Sequence, residues 1–191
     1  MLVFIYISTL TILILSILVP LFATRSLPSG NRGGIVDQSI DNAIDQLRAS
    51  GKNGWELVAD ATLLVHQRMH YCRRNSFDYY KKAFRRGYGY CQQQAYALEY
   101  ILRHLGFGTR VVFSFKSIFP DGKAGNHAWL QVRYGNETRN YCPVFPDPVT
   151  AKPGFEIVGP VHHSNGLFRI FAGWGSVVVN AMRYYQTGKD F

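Results

Sequence analysis

Cys91 follows Gly89-Tyr90 and opens an apolar-periodic stretch. His127 opens another in His127-Ala128-Trp129, and Cys142 closes a third in Tyr141-Cys142-Pro143. A thiol and an imidazole are the minimum equipment for acyl transfer through a thioester, because the sulfur attacks the carbonyl and the ring carries the proton. A free thiol with pKa ~8.5 is mostly protonated at neutral pH and must be helped to ionise. A helix start offers that help: it carries partial positive charge and backbone N–H groups that have no acceptor within the helix. The N–H of Cys91 itself could form part of an oxyanion hole.

The elements that position these residues follow from spacing. Cys91, Ala95, Leu98, Leu102 and Leu105 recur at helical intervals on one face, and Gly106 is placed to end the helix. Gly87 and Gly89 allow a tight turn onto Cys91. Upstream, Val36, Ile40, Ile44 and Leu47 predict a helix capped by Asp37 or Ser39 and closed at Ser50-Gly51. Residues 55–70 predict a second helix, with Leu57, Ala61, Leu64 and Val65 on one face, and Ser76 is placed to cap a short third through Phe77, Tyr80 and Phe84. Downstream the period shortens to that of strands over residues 109–115, 128–134 and 138–142, and the apolar runs at 155–161 and 174–185 also read as strands. Helices first and an antiparallel sheet afterwards predict an α+β domain.

Register can be counted from the turn. If Gly135-Asn136 is a two-residue hairpin loop, Tyr134 pairs with Glu137, Trp129 faces Cys142 and His127 faces Val144. His127, Trp129 and Cys142 then share a face, with His127 and Cys142 diagonal neighbours at roughly 7 to 8 Å between backbones.

Gly89-Tyr90-Cys91, Leu105-Gly106-Phe107-Gly108-Thr109-Arg110, His127-Ala128-Trp129 and Tyr141-Cys142-Pro143, in that order, resemble the transglutaminase-like superfamily over residues 55–145. The resemblance implies a papain-like Cys-His core in which Cys91 is the nucleophile, His127 the base, and position 142 the group that orients the ring. It implies action on peptide or isopeptide amide bonds, with hydrolysis favoured over crosslinking, and no cofactor. The family carries Asp before the proline, where this chain has Cys142, and a neutral thiol accepts a hydrogen bond weakly. Three arrangements could make up the difference. Asp147, in Pro146-Asp147-Pro148, could swing in; Asn140, on the Cys142 face, could orient the ring; or the Cys91–His127 pair could work unaided.

Other constellations carry less. His66 and His70 could share a helix face near Cys72, but a closed zinc site wants a fourth ligand, so no metal is expected. His162-His163 sits in a loop-like setting as an alternative base, and Gln92, Gln93 and Gln94 could line the mouth of a cleft. Trp129 reads as a cleft wall or core residue and Arg110 as a structural partner at a strand start.

The 191-residue chain divides into three parts: an uncharged segment 1–24, a Pro- and Gly-rich linker 25–35, and a domain 36–191. Residues 2–22 are nearly all apolar, long enough for a helix to cross a hydrocarbon core of about 30 Å, and predict a single-pass membrane anchor. A cleaved signal segment is the competing reading, disfavoured because no Lys or Arg precedes the run. All of the net charge of +9 lies after residue 24 and concentrates at Arg73, Arg74, Lys81, Lys82, Arg85 and Arg86. Beside a bilayer such a patch attracts anionic headgroups, and no nucleic-acid-binding signature accompanies it. Three cysteines are too few for a disulfide framework, although Cys72 and Cys142 could pair in an oxidising compartment. Two functions therefore stand: a membrane-anchored cysteine acyl-transfer enzyme, or a silent member of the family that keeps the cleft as a peptide-binding or scaffold module.

Overall fold

The computed structural model describes residues 39–73, 76, 78–165, 171–173, 175–176, 178–179 and 182. The expected anchor (2–22), the linker, and the capping alternative Asp37 lie outside them. Among the described residues no helix is long and apolar enough to cross a membrane.

Helix α1 (Ile40–Ala49) begins where Ser39 accepts a hydrogen bond from the Asn42 amide, and buries Ile40, Ala43, Ile44 and Leu47. Helix α2 (Gly54–Arg68) buries Leu57, Val58, Ala61 and Val65. It stops short of His70, which opens a two-residue strand, β1 (His70–Tyr71). Helix α3 (Tyr80–Arg86) ends on Gly87 in the left-handed conformation (φ 84°), a geometry that glycine adopts without steric cost. Ser76 does not cap α3 as expected; Tyr79 occupies the cap position, and the Ser76 hydroxyl donates to the Gly173 carbonyl at 2.8 Å. Strand β2 (Tyr88–Gly89) pairs in parallel with β1, which fixes the chain immediately before Cys91.

Helix α4 (Cys91–His104) is the centre of the molecule. Ala95, Ala97, Leu98, Ile101 and Leu102 are fully buried and share one cluster with α1, α2 and the sheet. Gly106 follows in a left-handed conformation (φ 91°) and the chain enters β3 (Gly108–Ile118). Strands β4 (Ala124–Tyr134) and β5 (Glu137–Tyr141) complete an antiparallel ladder, and β6 (Glu156–Ile157) and β7 (His162–His163) both add to the far edge of β3. The hairpin turns at Gly135 (φ 59°) with Tyr134 opposite Glu137 and Leu130 opposite Tyr141, the register counted from the Gly135-Asn136 turn.

Two expected strands take other forms. The 155–161 run pairs only at Glu156–Ile157, against Ser117 and Ile118. The 174–185 segment was expected to be extended, yet its described positions Gly175, Ser176, Val178, Val179 and Met182 are helical. The result is a helical half packed on an antiparallel sheet, an α+β fold.

Candidate functional site

Cys91 is the first residue of α4, so its side chain lies at the end of the buried stripe rather than within it. Two glutamines hold this start in place. The Gln93 side chain accepts from the Tyr90 backbone N–H at 3.2 Å, and the Gln94 amide donates to the Gly89 carbonyl at 2.9 Å. Gln92 accepts from the Tyr90 hydroxyl at 3.0 Å; all three glutamines are buried at the helix entry, and Gln92 also lines the cavity that Cys91 lines.

His127 is set by the sheet. It pairs across β3 with Ser114, and the register slips between Ser114 and Ser117, where β3 has one residue more than β4. A bulge of this kind bends a strand and re-aims the neighbouring side chains. The imidazole is buried against the rings of Phe119, Phe145 and Phe155, with Phe155 edge-on at 4.8 Å between centroids. This dry aromatic surround holds the His127 pKa down to about 3, since burial penalises the charged ring.

Cys142 follows β5 directly, and its sulfur lies 3.1 Å from His127 Nε2. The same sulfur accepts from the Phe145 backbone N–H at 3.5 Å. Burial pushes the Cys142 thiol up to about 12, with the Phe145 and Val144 amides partly opposing the rise. It therefore faces the ring as a neutral thiol, able either to give its proton to Nε2 or to accept the Nε2 proton, and it does not dictate the tautomer.

The other two candidates for orienting the ring are engaged elsewhere. Asn140 accepts from the Trp129 indole N–H at 3.0 Å and so fixes a buried wall of the site. Asp147 accepts from the Val149 and Thr150 amides and the Thr150 hydroxyl, bonds that close its own turn and hold its carboxyl below the usual range. Neither touches His127.

Cys91 and His127 open onto one cavity of about 330 Å³, whose walls also include Tyr71, Phe113, Phe115 and Phe171. Among the described residues no hydrogen bond joins the two side chains directly. The link runs through the backbone: the Ala128 amide, next in chain to His127, points to the Cys91 sulfur. Burial raises the Cys91 pKa; the Ala128 amide, the positive charge of Arg73 and the Gln92 amide each pull it back down. At rest the site is thus a half-buried thiol and a neutral imidazole.

Trp129 is fully buried in a small cluster with Val112, Cys142 and Val144, against which Cys91 packs. His66 Nδ1 lies 2.9 Å from the Pro143 carbonyl, and among the described residues no group of His, Cys, Asp and Glu is arranged to hold a metal. His162 and His163 are exposed on β7, with Arg110 bonded to His163. The cysteines are free thiols. Of the basic cluster, Lys81, Lys82, Arg85 and Arg86 lie together on α3, where Lys82 and Arg86 pair with Asp78 and Lys81 bonds the Tyr100 hydroxyl; Arg74 lies outside the described residues, and Arg73 lines the cavity. Sequence spacing grouped Arg73 with a surface patch. Its place beside Cys91 depends on the β1–β2 pairing, which two residues on each side do not announce.

No curated protein matches the chain. A solved structure of a candidate cysteine protease from Cytophaga hutchinsonii is similar in part, with a TM-score of 0.43 and 14% identity over 66% of this chain. The match covers 49% of that protein, so the chain spans about half its length. The sequence model of the transglutaminase-like superfamily matches residues 42–146, more than half of the 191 and inclusive of Cys91, His127 and Cys142, and the chain belongs to that superfamily.

Proposed function

We propose that the chain is a cysteine acyl-transfer enzyme, anchored in a membrane through residues 2–22, that cleaves peptide or isopeptide amide bonds through a thioester. The observation that carries this reading is the convergence of Cys91 and His127 on one cavity, with Cys142 against Nε2 of the ring. In the forward half-reaction His127 takes the Cys91 proton as sulfur adds to the amide carbonyl. The C–N bond then breaks, and His127 returns the proton to the leaving amine. Water attacks the thioester with the same ring as base, releasing the acid and restoring the thiol. Hydrolysis is favoured over crosslinking because this outcome needs no second amine to be bound. The Cys91 N–H, first in its helix, has no acceptor within the helix and is the donor available to the negative charge that develops on the carbonyl oxygen.

The resting electrostatics favour a second reading, a silent member that keeps the cleft to bind peptide. His127 is neutral and dry, Cys91 is raised by burial, and no carboxylate orients the ring. The rate of Cys91 alkylation by iodoacetamide against pH separates the two. An enzyme gives a labelling component faster than a model thiol that is lost in His127→Ala; a Cys91 that labels no faster than glutathione at every pH, in wild type and variant alike, eliminates the catalyst.

A further inference from the structure

The cavity shared by Cys91 and His127 contains an unusual charge arrangement. Its described lining includes no Asp or Glu, and with His127 neutral, Arg73 is the residue there that carries a fixed charge. Arg73 is half-buried, and its Nε donates to the Tyr71 hydroxyl at 3.0 Å. Among the described residues no carboxylate pairs with it, and its two terminal nitrogens have no hydrogen-bond partner. Two other arginines are treated differently: Arg86 is paired with Asp78 and Arg103 with Glu99. Withdrawing a guanidinium from water without a counter-charge is costly, and its planar fork of donors suits a carboxylate.

We propose that Arg73 determines specificity in this cavity by receiving a carboxylate that the substrate carries beside its scissile acyl group, as an acidic side chain or a chain-terminal carboxylate would. The inference rests on the acyl-transfer reading of Cys91 and deepens it by naming the substrate class. The tyrosine at Nε fixes the plane of the guanidinium and leaves the terminal nitrogens for the ligand. Arg73 is itself withdrawn partly from solvent at the cavity wall, where a charge contact is screened less than in open water. Arg73 also supports the Cys91 thiolate through its field. That effect is independent of the charge on the incoming molecule, so the two roles can be measured apart.

The experiment compares alkylation of Cys91 by iodoacetate, which bears a carboxylate, and by neutral iodoacetamide. It uses the full-length chain in a nonionic detergent at low salt, with peptide mass mapping to read position 91 alone. Arg73→Gln is expected to lower the iodoacetate-to-iodoacetamide rate ratio about tenfold, a modest value for a charge pair in a partly dry site, with Arg73→Lys between it and wild type. In wild type, succinate is expected to protect Cys91 from iodoacetamide where succinamide does not, a result that needs no variant to fold. A ratio unchanged in Arg73→Gln, both rates falling together, overturns the proposal and leaves Arg73 as thiolate support only. A Cys91 that iodoacetamide labels no faster than glutathione instead overturns the acyl-transfer reading, whatever the ratio.

Discussion

The two faces of β4 have opposite chemistry. On one, Leu130 and Val132 join the large cluster built on α4 and are held by volume alone. On the other, His127 and Trp129 are equally buried, but each makes a specific polar contact, to Cys142 and to Asn140. The same alternation continues across the turn, where Tyr141 belongs to the first cluster and Cys142 to the second. One pleated strand thus separates what must be stable from what can react, and a change of one residue in register would exchange them.

The contrast is broken most sharply by paired deletions. Cys91→Ala should abolish acyl transfer with little loss of stability, because a small half-buried side chain at a helix start leaves a small gap. His127→Ala should slow turnover by about 10²–10⁴-fold, the usual worth of a positioned acid–base group. Leu130→Ala, a neighbour on the opposite face, should instead cost about 2–5 kcal/mol in urea unfolding with the reacting groups left in place. If Cys91→Ala were the unstable variant and Leu130→Ala the inactive one, the division of β4 would be wrong.

Acid offers the next test. The folded pKa of His127 is about 3 against 6.5 for the free group, so between those values the unfolded chain binds the extra proton and the fold does not. Stability contributed by the neutral ring is complete above pH 6.5 and is lost as pH falls toward 3, at no more than about 1.4 kcal/mol per pH unit. Chemical unfolding across that range should show the slope in wild type and a flatter one in His127→Asn. Equal slopes would mean that the ring is solvated.

Much of this arrangement was legible in the sequence because it is set by local rules. The α4 stripe follows from the spacing of Ala95, Leu98 and Leu102, and the β4–β5 register follows from Gly135-Asn136. Where the rules misled, a distant partner or an ambiguous period was responsible. Ser76 has the residue type of a helix cap but finds Gly173 across the fold. The run of valines at 177–179 has strand propensity, yet Val178 and Val179 are helical, since a short apolar run does not distinguish the two periods. For the orienting group, types and faces could be read but commitments could not. Asn140 lay on the expected face and is held by Trp129, a choice decided by which donor was buried without another acceptor.

Cys142→Asp sharpens the comparison by placing a strong acceptor against Nε2. The new carboxylate would favour the imidazolium and fix the proton on Nε2, freeing Nδ1 as the base. His127 titration, followed by NMR of the ring protons, should move up by about one to three units, with a faster alkylation of Cys91 at neutral pH. A His127 titration left where it was would mean that the thiol already supplies all the orientation the ring can receive.

The smallest effect belongs to the residue whose type most invited a catalytic role. Asp147 lies five positions beyond Cys142, and an aspartate is the orienter the ring lacks. Its carboxylate, however, already accepts from two backbone amides and a hydroxyl within its own turn, and swinging toward His127 would strand all three donors. Asp147→Asn should preserve part of this turn and Asp147→Ala should loosen it, with only a small change in the urea midpoint because the bonds are local to the turn. Neither should shift the His127 titration or change Cys91 labelling more than about twofold, since a solvated charge beyond hydrogen-bond reach is screened. A drop in His127 pKa in Asp147→Ala would reverse the assignment, because only a carboxylate in contact with the ring could have been holding that value up.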